Sequence, residues 1–460
     1  MLPGMSQRTR GLILAIAFIQ LAAILGLLAL PNLVRAIPGH YRVRLAEMPI
    51  AQDVLELVTT PYAEALPTPG GNVNRPAAAL PTGVVALLDA PTPTSTPEAT
   101  TTNEPPPTPA PQNIVTATFT PSPTPSPTLT PSPTPLPENV RLEGITAVAQ
   151  TFNNCGPANL TQVLNFYGLG ANQNEVAAFL KPDNEDRNVS PWQIEAYVTN
   201  NTSLRVIYRS GGTLELLKHL IAAGYPVVIE KGYEPGTANA QGWFGHYLTL
   251  FGYDEANQVF HTQDSYLGPF DGTGRPESYA NIEHFWQQFN YTFYVVYEPA
   301  QEEEMVALLG PELMDDRTMW ESAAARAQAE IEADPENAFA WFNLGTNLAE
   351  LGNMTGEAEF YTAAAAAYDQ ARVVGLPPRM LWYQFRIYLA YIKTERYEDV
   401  ITLADTILAN EGGRYVEETY YYKGWALLYS DTPAAITNLE LALERNPNFT
   451  PAQLMLDSLS

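Results

Sequence analysis

The sequence predicts a multidomain chain, with an α+β domain over residues 138–300 followed by an all-α helical-repeat domain over 318–460. An N-terminal transmembrane helix and a disordered Pro/Thr-rich linker precede both. Three observations carry this reading. Gly11–Leu30 is almost wholly apolar, interrupted only by Gln20. Twenty of the 40 prolines fall between Leu66 and Pro137, a density that a compact domain cannot absorb. From about residue 318 the mixture of strand and helix signals gives way to helix signals alone.

Residues 1–36 read as a transmembrane anchor or uncleaved signal. The apolar run has the roughly 20 residues needed to span a bilayer as a helix, and it follows Arg8 and Arg10. Residues 37–65 form a juxtamembrane segment. Residues 66–137 repeat Pro-Thr and Pro-Ser, as in Pro121-Ser122-Pro123-Thr124-Pro125. Such sequence buries too little apolar surface to offset its ordering entropy. Extended, about 70 residues at roughly 3.1 Å each would reach on the order of 200 Å. A stalk after one span fits a single-pass protein of the cell membrane, its C-terminal domains extracytoplasmic.

Within 138–300, Gly156–Tyr167 reads as a helix with Pro157 near its first position, where a missing N–H costs nothing. Tyr225–Glu230, His246–Tyr253, Val259–Asp264 and Phe293–Tyr297 read as strands, and Asp254–Gln258 as a hairpin turn. A helical half followed by an antiparallel sheet is an α+β arrangement. Beyond 318, Trp341, Leu344, Gly345 and Leu348 share a helical face. The segment Glu357–Ala371 is a helix of small residues, and helical pairs recur over Leu381–Leu408 and Glu417–Leu443. Asp334-Pro335-Glu336-Asn337 and Asn446-Pro447-Asn448 punctuate them. This array resembles the tetratricopeptide repeat, a stacked helix-turn-helix unit. It holds 20 acidic and 9 basic residues, which favours a basic or neutral peptide or protein as its partner.

The chain has one cysteine and a net charge of −26. A disulfide within the chain and a thiolate metal cluster are both excluded, and no cofactor is implied. The charge argues against a nucleic-acid partner, because phosphate binding needs Lys and Arg. Cys155 is either a buried inert core residue or a nucleophile. Its place at a helix N-terminus favours thiolate through the helix dipole and unpaired N–H groups. Of five histidines, His246 opens a strand after Gly242-Trp243-Phe244-Gly245, which leaves room beside it. His40, His219 and His284 read as surface or packing residues. With the hairpin turn centred on Ala256, Asp264 lies opposite Leu248 and shares the face of His246, while His261 points to the other face. Asp254 lies at the far end of the strand. Gln150, five residues before Cys155, is either a solvent-facing loop residue or, with the Cys155 N–H, part of an oxyanion hole.

Three segments in order — Gln-x4-Cys-Gly-Pro-Ala-x-Leu, Gly-His-Tyr-Leu-Thr-Leu-x-Gly-Tyr-Asp and Asp-Ser-Tyr-Leu-Gly-Pro — resemble the bacteriocin-processing cysteine peptidase-like family of the papain clan. The resemblance covers roughly 140–300. It implies a papain-like fold with Cys155 as nucleophile, His246 as base, Asp264 orienting the histidine and Gln150 supporting the oxyanion. No transporter accompanies the domain, so the double-glycine specificity of the bacteriocin-processing members is not implied.

The expectation is thus a membrane-tethered, extracytoplasmic cysteine peptidase acting on peptide bonds, with the repeats recruiting a protein substrate or partner. The alternative is a catalytically inactive, peptidase-like peptide-binding module on a surface scaffold.

Overall fold

The computed structural model describes Gln20 and residues 65–69, 135–234, 242–410 and 412–460. The expected span Gly11–Leu30 lies outside the described residues, Gln20 apart. Among the described residues no helix is long and apolar enough to cross a membrane.

An antiparallel sheet organises the first domain. Its strands are β1 (Asn139–Arg141), β2 (Arg205–Arg209), β3 (Val227–Tyr233), β4 (Phe244–Asp254), β5 (Val259–Gln263), β6 (Arg275–Ser278) and β7 (Phe293–Tyr297). They lie in the order β2-β7-β3-β4-β5-β6, with β1 also paired to β4. The long strand β4 accommodates both, since β3 covers Phe244–Leu250 and β1 covers Gly252–Asp254. The four expected strands are present. β1 and β6 carry only three and four residues, too few for an alternation to register, and β2 (Arg-Val-Ile-Tyr-Arg) is likewise unexpected.

Helices cover both faces of the sheet instead of forming one half beside it. On one face α1 (Cys155–Phe166), α2 (Gln173–Leu180) and α3 (Pro191–Asn201) bury Leu160, Val163, Val176 and Ile194 against Val228, Tyr247 and Tyr294. On the other, α4 (Leu214–Ala222), α5 (Tyr279–Gln287) and α6 (Glu302–Met314) bury Leu217, Trp286 and Met305 against Ile229, Leu248 and Val295. Each such aliphatic side chain contributes roughly 1.5–3 kcal/mol when removed from water. Period-two alternation along β4 therefore sends Tyr247 to one core and Leu248 to the other. Helix α6 lies between the two expected domains in sequence and packs into this second core.

The helices that follow are α7 (Asp316–Ala333), α8 (Ala338–Thr355), α9 (Ala358–Val374), α10 (Arg386–Lys393), α11 (Tyr397–Leu408), α12 (Glu417–Leu427), α13 (Thr432–Arg445) and α14 (Thr450–Leu459). Consecutive members pack on one another, α8 between α7 and α9, and α12 on α13. Gly345 lets α8 approach α9, since a Cβ there would lie 2.8 Å from the Tyr368 ring. The punctuating polar residues are caps: Asn337 accepts from the Ala340 N–H at 3.1 Å and starts α8.

The two domains share a continuous core. Trp243 stacks on Phe289 with ring centroids 5.7 Å apart, and both meet Tyr383 from the helical domain. The structure departs from the expected linker at its first residues. Leu66 is buried in the helical core, and its N–H donates to the Leu376 carbonyl at 2.8 Å. A leucine beside the prolines supplies apolar surface that the Pro-Thr repeats lack.

Candidate active site

Cys155 is the first residue of α1, and Asn154 precedes it as the N-cap without a side-chain cap bond. The first turn therefore keeps its backbone donors free, and Pro157 falls where no N–H partner is needed. The N–H groups of Tyr247 and Gly156 and the His246 ring surround the Cys155 thiol and favour its thiolate. Gly156 sits in a tight place, since a Cβ there would lie 3.0 Å from the Val189 Cβ.

His246 reaches the site from β4, and its Nε2 lies 3.1 Å from Asp264 Oδ1. The other ring nitrogen is left for Cys155. Asp264 is buried, and the same Oδ1 accepts from the N–H groups of Tyr266 at 2.8 Å and Leu267 at 2.9 Å. The three residues expected from sequence thus lie together in the order Cys155–His246–Asp264.

The expected placing of Asp264 opposite Leu248 is reached by a different route along the hairpin. At the hairpin end Asp254 pairs with Val259 and Tyr253 with Phe260, a turn half a residue beyond Ala256. Continued unbroken, that register sets Asp264 opposite Thr249, on the wrong face. An irregularity between Leu250 and Gly252 takes up one residue, so that Thr249 pairs with Gln263. Asp264 then follows opposite Leu248. His261 rests against Phe251, His219 beside Glu215 and His284 against Phe285, while His40 lies outside the described residues.

Gln150 is fixed at two points. Its N–H donates to the Ser265 carbonyl at 2.8 Å, and its Oε1 accepts from Ser265 Oγ at 3.0 Å. The amide nitrogen is left as the free donor end. Sequence reasoning missed what connects the parts. Buried Asn159 donates to the carbonyls of Cys155 and Tyr247 at 2.9 and 2.8 Å, and to Ser265 Oγ at 3.1 Å. Gln162 and Thr249 close the network by bonding Asn159 Oδ1 at 3.1 and 2.6 Å. One buried asparagine therefore ties together all three sequence segments. The signal was its helical phase: Asn159 stands four residues after Cys155, on the same face of α1.

Electrostatics favours an ion pair. Burial pushes the Cys155 thiol up, but the His246 hydrogen bond and charge and the two N–H donors outweigh it, leaving the thiol below its ordinary value. Burial lowers His246, yet the charge and hydrogen bond of Asp264, then Cys155, raise it from 6.5 to about 9. Burial likewise raises Asp264, and the His246 charge with the two backbone donors holds it well below the usual carboxylate range.

The space beside Cys155 is narrow, a cavity of about 10 Å³ lined by Asn153, Arg187, Glu230, His246 and Tyr383 among others. Two of these, Glu230 and Tyr383, also line an interdomain cleft of about 990 Å³. Tyr383 comes from the helical domain and packs against Gly245, where a Cβ would lie 3.1 Å from its ring. Buried Glu230 is raised well above the ordinary carboxylate range, by burial and then by the Cys155 charge. Among the described residues no group of His, Cys, Asp and Glu could hold a metal ion.

Residues 142–294 match the model of the Peptidase_C39 like family. A solved protein from Bacillus anthracis, described as a C39-like peptidase, is similar at 16% identity with a TM-score of 0.29. That match covers 35% of this chain and 98% of the other. No curated protein matches this chain. Residues 142–294 are thus similar to the C39-like peptidases, and they form an α+β domain that a helical domain follows.

Proposed function

We propose that the protein is a membrane-tethered, extracytoplasmic cysteine peptidase that hydrolyses peptide bonds, with a tetratricopeptide-like domain as one wall of its substrate cleft. The observation that carries the reading is the placing of Cys155 at a helix N-terminus beside His246, whose Nε2 lies 3.1 Å from Asp264 Oδ1, an arrangement that lowers the thiol and raises the imidazole. A thiolate–imidazolium pair is what a cysteine nucleophile needs at neutral pH.

Cys155 Sγ attacks the scissile carbonyl carbon, and the oxyanion that forms faces the Cys155 N–H and the Gln150 amide. His246 gives its proton to the departing amine as the carbon–nitrogen bond breaks. It then takes a proton from water, which attacks the thioester and releases the acid product and the Cys155 thiolate. Asp264 holds the ring orientation and the imidazolium charge throughout. Tyr383 supports a role for the helical domain in the cleft, since it borders both the Cys155 cavity and the larger interdomain space. The apolar run Gly11–Leu30 supports the tether.

The narrowness beside Cys155 favours a second reading, a domain that keeps the residues but only binds peptide. Release of amine from peptides by the unmodified chain and not by His246→Ala distinguishes the two, and alkylation of the single cysteine by iodoacetamide from pH 5 to 9 tests the thiolate that the peptidase needs. Rapid reaction well below pH 8 that slows in the variant supports the peptidase. An ordinary thiol titrating near 8.5 in both proteins refutes it.

A further inference from the structure

Residues 65–69 lie on the helical domain as a peptide without regular secondary structure, in a built site. Leu66 is 3% exposed, and its N–H donates to the Leu376 carbonyl at 2.8 Å. Arg372, on α9 and 1% exposed, donates from Nε to the Pro67 carbonyl at 2.8 Å and from Nη2 to the Thr68 carbonyl at 3.1 Å. Its remaining nitrogen, Nη1, is held by Tyr391 Oη at 3.1 Å and Asp399 Oδ1 at 3.2 Å. Behind it, Asp369 accepts from Tyr391 Oη at 2.7 Å and from Arg396.

A buried guanidinium so braced is preorganised, and two of its donors have no use in the helical fold itself. They address backbone carbonyls, and proline suits the ligand twice. It fixes φ near −65° and so limits the entropy lost on docking, and its missing N–H needs no partner. Both flanks of 70–134 are held on the folded body, since Tyr253 Oη also donates to the Pro137 carbonyl at 3.0 Å.

We propose that this Arg372 groove is a docking site for peptides of the type leucine-proline-x, kept filled by the chain's own residues 65–69. An outside peptide of that chemistry gains access only by displacing the resident segment. Intramolecular docking presents that segment at an effective concentration of order millimolar, which sets the threshold a partner must exceed.

The test uses the full chain and a fluorescent synthetic peptide of residues 61–72. Leu66→Asp, which places a carboxylate where Leu66 is buried, should release the resident and expose the groove. Peptide binding by Leu66→Asp at least tenfold tighter than by the unmodified chain is expected, with loss of that binding on adding Arg372→Gln. Failure of a folded Leu66→Asp chain to bind, or equal binding by the unmodified chain, overturns the proposal. Should Leu66→Asp not fold, amide hydrogen exchange on the unmodified chain decides. Excess free peptide must accelerate exchange at Leu66, and unchanged exchange refutes displacement.

Discussion

Asp264→Asn isolates the electrostatic part of the site with little change in shape. Asparagine keeps an oxygen for the Tyr266 and Leu267 N–H groups, so the turn after β5 stays supported, and only the charge is lost. The size of the effect can be bracketed. The rise of His246 from 6.5 to about 9 corresponds to about 3 kcal/mol at 1.36 kcal/mol per pK unit. That figure is net of burial, which opposes it. Across the 3.1 Å contact, unit charges at an effective dielectric near 20 attract by about 5 kcal/mol. Removing 3–5 kcal/mol of preference for the imidazolium returns His246 to 6.5 or below. Cys155 then loses its cation, and burial, the largest influence on it, pushes the thiol up. Because the two groups titrate as a pair, the assay is the whole pH profile of iodoacetamide alkylation, read by mass spectrometry on the single cysteine. Between pH 6 and 7 the variant should react at least about tenfold more slowly, since one pK unit is tenfold in thiolate. Profiles that overlay while circular dichroism shows a folded variant would mean that Asp264 does not sustain the pair, and the mechanism would fail.

Peptide hydrolysis should hold a plateau up to about pH 9 and fall above it as His246 loses the proton it gives to the leaving amine; a rate still rising at pH 10 would contradict this. Glu230→Gln tests the buried carboxyl. A folded-state pKa raised above the unfolded value gives stability that is complete at low pH and lost as pH rises, so the variant should melt higher than the parent at pH 8 and not at pH 4. Glu277→Gln strands Lys231, which is 2% exposed and lies 3.1 Å from Glu277, and should cost roughly 3–5 kcal/mol in urea unfolding. Gly245→Ala drives a Cβ to 2.7 Å from Phe289 and 3.1 Å from Tyr383, and a loss of about 1–3 kcal/mol is expected from such overpacking.

Cys155, His246 and Asp264 were legible because each sits in a local pattern: a helix start, a small-residue lead into a strand, a hairpin. The register between the last two was legible only in part. A turn centre misplaced by half a residue and a bulge near Phe251 cancel, and no feature of Leu250-Phe251-Gly252 announces the extra residue. Gly252 instead serves the opposite edge of β4, since a Cβ there would lie 2.6 Å from the Val140 carbonyl oxygen of β1. Short strands such as β1 and β6 escaped because pairing partners and not periodicity define them. Leu66–Pro69 escaped because composition was averaged over 66–137, and one docked leucine disappears in such an average.

The helical domain's part in the cleft is of a different kind. Tyr383 lies 228 residues beyond Cys155 in the chain, in a turn that follows Pro378–Trp382, and nothing local distinguishes it from the many other tyrosines. What places it is a relay of aromatic contacts: Tyr383 on Phe289, Phe289 on Trp243, and Gly245, two residues after Trp243, beneath the tyrosine ring. Gly242-Trp243-Phe244-Gly245 reads from sequence as room left beside His246. In the fold that room is occupied by the second domain, so the small residue before His246 serves domain docking and site shape together. A change at the interface should therefore register at the cysteine. Tyr383→Ala, which leaves the triad residues intact, should speed alkylation of Cys155 by a bulky maleimide more than by iodoacetamide. Equal acceleration of both reagents would mean that the tyrosine tunes the thiol and does not wall the cleft.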